Sequence, residues 1–143
     1  MENDEFTKLL DKWKEASKAE YEVRPWGMFV KFATVCNGLV HKELIVKPGN
    51  RLSMQKHALR DELWIIASPD IMVEIGPPNG RMEVKFPAPI TEGALVKISI
   101  PRGWWHRLSN MGHNVGHVFE YSFGIFDEGE IIRSEDDFGR VAE

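Results

Sequence analysis

The sequence holds one cysteine in 143 residues, Cys36, so no intrachain disulfide can brace the fold. A lone thiol fits a reducing compartment, and a cytoplasmic location is the expectation. No uninterrupted apolar run approaches the ~20 residues needed to cross a bilayer, so no membrane partner is expected. The first residues, MENDEFTKLLDKWKE, are acidic from the start and carry no apolar signal-peptide core. Basic blocks are missing too. With 18 Lys and Arg against 22 Asp and Glu, the net charge is −4 and the pI near 5.8. That balance argues against a nucleic-acid partner, because neutralising phosphates needs clustered cations. Internal repeats and low-complexity segments are absent. What is there, 43% hydrophobic and 28% charged residues, describes one globular domain with a real core.

Two unequal parts follow. Residues 4–20, DEFTKLLDKWKEASKAE, put Phe6, Leu9, Leu10 and Trp13 at helical spacing, with Asp4 as the N-cap. The apolar stripe must dock, and its own domain is the expected surface. From residue 21 the texture becomes β-rich. Runs such as MFVKFATV, HKELIVK, ELWIIAS, IMVEIG and HVFEYSF are separated by PGN, SPD, PPNGR, TEG and PRG. About eight short strands without intervening helices predict an antiparallel sandwich or small barrel over 21–143. The acidic tail, DEGEIIRSEDDFGRVAE, reads as a short helix or a closing loop.

One stretch stands apart. RLSMQKHALRDELWII (51–66) sets Gln55, His57 and Glu62 among apolar residues. Strand alternation aims Gln55 and His57 at one face, and a hairpin partner can bring Glu62 beside them. A fourth donor, His106, follows the turn in IPRGWWHRLSN (100–110). Imidazole, carboxylate and amide oxygen together suit a divalent ion such as zinc, manganese, iron or cobalt. A satisfied polar cluster at a hairpin is the competing reading.

The spacing resembles the two-part signature of the cupin superfamily. Gly49, five residues, Gln55-x-His57, four residues and Glu62 match its first half, and Pro101, Gly103, His106 and Asn110 match its second. Gln55 stands where that signature has its first histidine, and Pro69 where it closes on glycine. Within that superfamily the chain resembles the cupin domain of type II mannose-6-phosphate isomerases, which in bifunctional proteins follows a guanylyltransferase. RPWG (24–27), VKPGNRLSMQKH (46–57), ELWII (62–66) and IIRSEDDFGR (131–140) carry the likeness. No nucleotide-transferring domain has a counterpart in these residues.

The resemblance implies an all-β cupin (a double-stranded β-helix, or jelly-roll barrel) with a short N-terminal helix. It also implies one divalent metal per chain on Gln55, His57, Glu62 and His106, zinc first, with manganese, cobalt, iron or nickel as alternatives. The reaction it implies is aldose–ketose isomerisation of a sugar phosphate, mannose 6-phosphate to fructose 6-phosphate, through a cis-enediol. Arg60, Lys42 and Arg140 match basic family positions, and Arg24 of RPWG could reach a ligand beside a buried Trp26. Glu120 is a candidate base if it faces inward, or a β-edge ion pair if it does not. Glu43, Leu59, Asp61 and Leu63 depart from the family pattern and are expected to alter the pocket rim. They keep open a different sugar or small polar substrate, and a binding cupin without chemistry. His41, His113 and His117 follow no ligand spacing, and Trp104 and Trp105 suit either a sugar pocket or the core. Cupin barrels pair through exposed strands, so a homodimer is the expected assembly.

Overall fold

The computed structural model describes residues 4–16, 20–35, 38–85, 96–125 and 130–140 of the chain. Its one helix among these, α1 (Asp4–Ala16), precedes two antiparallel sheets. The six-stranded sheet runs in the order β1 (Glu20–Arg24), β2 (Gly27–Val35), β3 (Leu39–Val46), β10 (Gly116–Gly124), β5 (Arg60–Ile66) and β8 (Val96–Ile100). The five-stranded sheet runs β11 (Ile131–Glu135), β4 (Met54–His57), β9 (Trp105–Asn110), β6 (Ile71–Gly76) and β7 (Glu83–Lys85). Among the described residues no helix is long and apolar enough to cross a membrane.

Alternation decides which side chains go inside. On β5, Arg60, Glu62, Trp64 and Ile66 are buried, whereas Asp61, Leu63 and Ile65 lie half-exposed on the other face. Between the sheets the core gathers Phe29, Leu44, Val46, Trp64, Ile66, Val73, Leu108 and Val118. A second cluster lies outside the six-stranded sheet. There Met28, Val30, Ile45 and Val115 meet Phe6, Leu9 and Leu10 of α1, so the predicted docking of the helix on its own domain is what is found. Lys47 caps this contact with Nζ over the Phe6 ring at 4.8 Å. The side chain of Trp13, residues 17–19 and Cys36 lie outside the described residues.

Three features depart from the expectations. His57 and Glu62 are not hairpin neighbours: β4 and β5 belong to different sheets, and the turn at Ala58–Leu59 crosses from one to the other. Residues 131–135 form a strand instead of a helix or loop. β11 pairs with β4 in the register Ile131↔His57 and Arg133↔Gln55. Its acidic neighbours hide an alternation, Ile131 and Arg133 half-buried against exposed Ile132 and Ser134. β1, also unforeseen, is a largely exposed edge with little apolar alternation to signal it.

The signature positions other than the candidate ligands are structural. Gly49 and Gly103 adopt φ of +71° and +82°, a region glycine enters without steric cost. The Gly103 amide donates to the His57 carbonyl at 2.6 Å, tying the two halves of the signature together. Asn110 is buried and donates to the carbonyls of Val46 and Asn114, while its Oδ1 accepts from the Gly112 amide. Pro69 does not disrupt its turn. The left-handed conformation falls one place later, on Asp70 (φ 62°), a residue type that tolerates it.

Candidate metal centre

Strands from both sheets aim at one point between them. His57 comes from β4, His106 from β9 and Glu62 from β5, and one donor atom of each lies within 4.8 Å of the other two. His57 Nε2 is 3.1 Å from Glu62 Oε1, and His106 Nε2 is 3.6 Å from Glu62 Oε2. All three side chains are at most 2% exposed. Gln55 sits opposite His106 in the β4–β9 ladder. Its Oε1 accepts a hydrogen bond from Ser53 Oγ at 3.2 Å. Arg60 backs the group, with Nε donating to Glu62 Oε1 at 3.1 Å and Nη2 at 3.3 Å from His57 Nε2.

The donors fit a divalent ion on chemical grounds. His106 Nδ1 lies 2.9 Å from the Trp104 carbonyl, an acceptor only, so Nδ1 carries the proton and the Nε2 lone pair points into the cluster. Among the described residues, His106 Nε2, Glu62 Oε2 and His57 Nδ1 are buried without a hydrogen-bond partner. The unpaired atoms that face the cluster, His106 Nε2 and Glu62 Oε2, carry a desolvation cost that a cation would offset. Burial lowers the His106 pKa to about 4 against the opposing pull of Glu62, keeping the ring neutral and able to ligate. Burial pushes the Glu62 carboxyl upward, yet the hydrogen bond with His57 and the charges of His106, His57 and Arg60 outweigh it. Glu62 therefore titrates well below the usual carboxylate range.

A cavity opens beside the cluster. Lys42, Gln55, Arg60 and Glu120 line it with Ser53, Arg24, Arg133 and Arg140, against apolar walls from Trp26, Leu44, Leu52 and Ile131. Glu120 faces inward because alternation along β10 puts it on the same buried face as Val118 and Ser122, and its ladder partners are Lys42 on β3 and Trp64 on β5. Trp64 Nε1 donates to Glu120 Oε2 at 3.0 Å. Lys42 is buried, with Nζ 4.2 Å from the Phe29 ring centre, and Arg60 is no surface charge either. Trp26 is buried, as expected.

The family departures, expected at the rim, lie off this cavity. Asp61 and Leu63 sit on the outward face of β5, where Asp61 accepts from the Arg102 amide and guanidinium. Leu59 is 42% exposed on the turn. Glu43, a charge reversal against the family, meets His117 Nδ1 at 2.7 Å. His41 stacks on Tyr121 at 4.4 Å and His113 is exposed, so no other described histidine joins the cluster. Trp104 packs against the core, and Trp105 carries Lys56 over its ring. Sequence reasoning passed over Arg133 and Ser53. The Arg133↔Gln55 register was their signal, and it needed β11.

Burial, then the neighbouring Glu62 charge, raises the Glu120 carboxyl to about 7, against the pull of Lys42, Arg60 and the Trp64 hydrogen bond. Its folded pKa lies above its unfolded value of 4.5, so its contribution is fully present below pH 4.5 and is lost as pH rises to about 7. In the metal-free protein, Glu120→Gln should therefore gain roughly 3 kcal/mol relative to wild type across that window. Urea unfolding at several pH values checks this, and a pH-independent difference would contradict it.

A model of the family described as "Mannose-6-phosphate isomerase C-terminal" matches residues 11–136. Mannose-1-phosphate guanylyltransferase ManC of Salmonella typhimurium is 31% identical over 142 residues, covering 94% of this chain and 27% of the relative. The xanthan biosynthesis protein XanB of Xanthomonas campestris is 35% identical over 119 residues, covering 82% and 23%. The chain thus spans about a quarter of the length of these relatives. Among solved structures, the capsular polysaccharide assembling protein CapF of Staphylococcus aureus superposes with a TM-score of 0.72 at 18% identity, over 85% of this chain and 34% of that one. Oxalate decarboxylase of Bacillus subtilis gives 0.63 at 14% identity, over 87% and 32%. These two likenesses carry the cupin fold alone. With the family match over residues 11–136, the chain belongs to the mannose-6-phosphate isomerase C-terminal family of cupin domains.

Proposed function

We propose that the chain is a metal-dependent aldose–ketose isomerase acting on mannose 6-phosphate and fructose 6-phosphate. The observation that carries the reading is a buried two-histidine, one-carboxylate cluster beside a cavity, reached through Gln55 and Arg60, that holds both a buried carboxylate and several cations. Gln55, His57, Glu62 and His106 would hold the ion, zinc first. A bound divalent ion supplies Lewis-acid stabilisation of negative charge developing on the C1 and C2 oxygens. Glu120 takes the C2 proton of the aldose and returns it to C1 while a proton passes from O2 to O1, through a cis-enediol. Buried on the cavity wall between Lys42 and Trp64, its carboxylate suits a base shielded from bulk water. The Trp64 N–H fixes which oxygen is free to act. Lys42 and Arg60, both buried, offer N–H donors to the sugar oxygens and exclude water from the reacting end.

The test is isomerisation of mannose 6-phosphate by purified protein with added Zn²⁺, Mn²⁺ or Co²⁺, and with a chelator. Metal-dependent turnover that disappears in His106→Ala is the expected result. A folded, metal-loaded protein with no turnover would overturn the isomerase reading.

A further inference from the structure

We infer that Arg24, Arg133 and Arg140 form a phosphate-binding rim at the mouth of the cavity, with Arg133 the member joined to Gln55 through Ser53. The inference deepens the isomerase reading and rests on the same cavity. In a protein of net charge −4, five cations and one carboxylate line this cavity. Arg24, Arg60 and Arg140 are ion-paired with Glu22, Glu62 and Asp136, and the positive excess left over in a concave site favours an anionic ligand.

Burial divides those cations. Lys42 and Arg60 are each 4% exposed and sit with Glu120 on the floor beside the metal ligands. Arg24, Arg133 and Arg140 are only half-buried and stand at the opening. The two ends of the cavity therefore ask for different chemistry. The floor takes a polar group that reacts, and the rim takes a dianion. A sugar carrying a terminal phosphate monoester matches that polarity, with its carbonyl end toward the cluster and its phosphate on the guanidiniums.

Each rim arginine is held in place. Arg24 Nη2 lies 2.8 Å from Glu22, and its guanidinium covers the Phe29 ring. Arg140 is gripped through two nitrogens by Asp136, at 2.8 and 2.9 Å. Arg133 Nε donates to Ser53 Oγ at 3.2 Å, and that hydroxyl donates to Gln55 Oε1. The β11–β4 ladder sets Arg133 directly across from Gln55, which joins the rim to the metal end through one hydroxyl. Guanidiniums fixed before binding lose little entropy on capturing a phosphate. Arg133 is the residue to change, because removing Arg140 would strand the fully buried Asp136 carboxylate.

The experiment titrates inorganic phosphate by calorimetry into metal-loaded wild type, Arg133→Gln, Arg133→Lys and Ser53→Ala, and measures mannose 6-phosphate kinetics beside it. Phosphate is expected to bind Arg133→Gln about tenfold to a hundredfold more weakly, with metal content and melting temperature unchanged. The KM for mannose 6-phosphate should rise by the same factor while kcat stays near wild type. Arg133→Lys and Ser53→Ala should show smaller losses, and they decide the matter if the glutamine variant does not fold. Equal phosphate affinity in wild type and the variants, or no phosphate binding by wild type, overturns the rim. Phosphate binding that depends on Arg133 without any sugar-phosphate turnover leaves the rim standing and removes the isomerase reading.

Discussion

His57→Ala is expected to empty the metal centre. The change removes one of two imidazoles from a cluster whose donor atoms lie within 4.8 Å of one another, and it leaves Glu62 facing Arg60 alone on that side. Affinity for a divalent ion should fall by about a hundredfold or more, since even residues that merely orient ligands are worth ten- to a hundredfold. Metal analysis after dialysis reads the result directly. The matched control is His113→Ala, which alters an exposed histidine away from the cluster and should keep wild-type metal content. Equal metal in the two variants would sink the assignment. Because the readout is metal, the outcome stands whatever the substrate proves to be.

Trp64→Ala should be the most damaging change to stability. Trp64 is wholly buried in the inter-sheet core, its ring meets His106 edge-on at 5.3 Å, and its N–H donates to Glu120. Truncating a buried tryptophan costs about 3–5 kcal/mol through lost transfer energy and the cavity left behind. Stranding the Glu120 oxygen adds to that. For a domain of ordinary stability this is a large share of about 5–15 kcal/mol, so the variant should unfold at much lower urea. Trp64→Phe separates the two causes, because it restores most of the volume but not the donor. A loss under about 1 kcal/mol for the alanine variant would be incompatible with a tryptophan in this core.

The two predictions share a cause. Residues on one strand serve packing and chemistry in turn: Arg60 and Glu62 address the site while Trp64 and Ile66 fill the core behind it. The departures from the family sort the same way. Asp61 and Leu63 fall on the outward face of β5, and Glu43 is absorbed by His117, so the changes expected to alter the pocket rim leave the cavity wall untouched.

The sequence by itself determined the class of fold and the meeting of His57, Glu62 and His106 in one buried cluster. Period-two runs broken by Gly and Pro mark strands wherever one face is buried, and the signature fixes His57, Glu62 and His106 because each must sit at a set distance from a glycine turn. Helix docking was legible from Phe6, Leu9 and Leu10 for the same reason of periodicity. Tertiary structure alone decided which strands are neighbours. Ladder pairing joins residues far apart in the chain, so nothing local shows that β4 and β5 belong to different sheets, or that Glu120 stands between Lys42 and Trp64. It also made a strand of residues 131–135, whose charged neighbours hide a weak alternation until β4 offers an unpaired edge. That pairing brought Arg133 beside Gln55, a meeting that depends on register across 78 residues and on no feature of either segment alone.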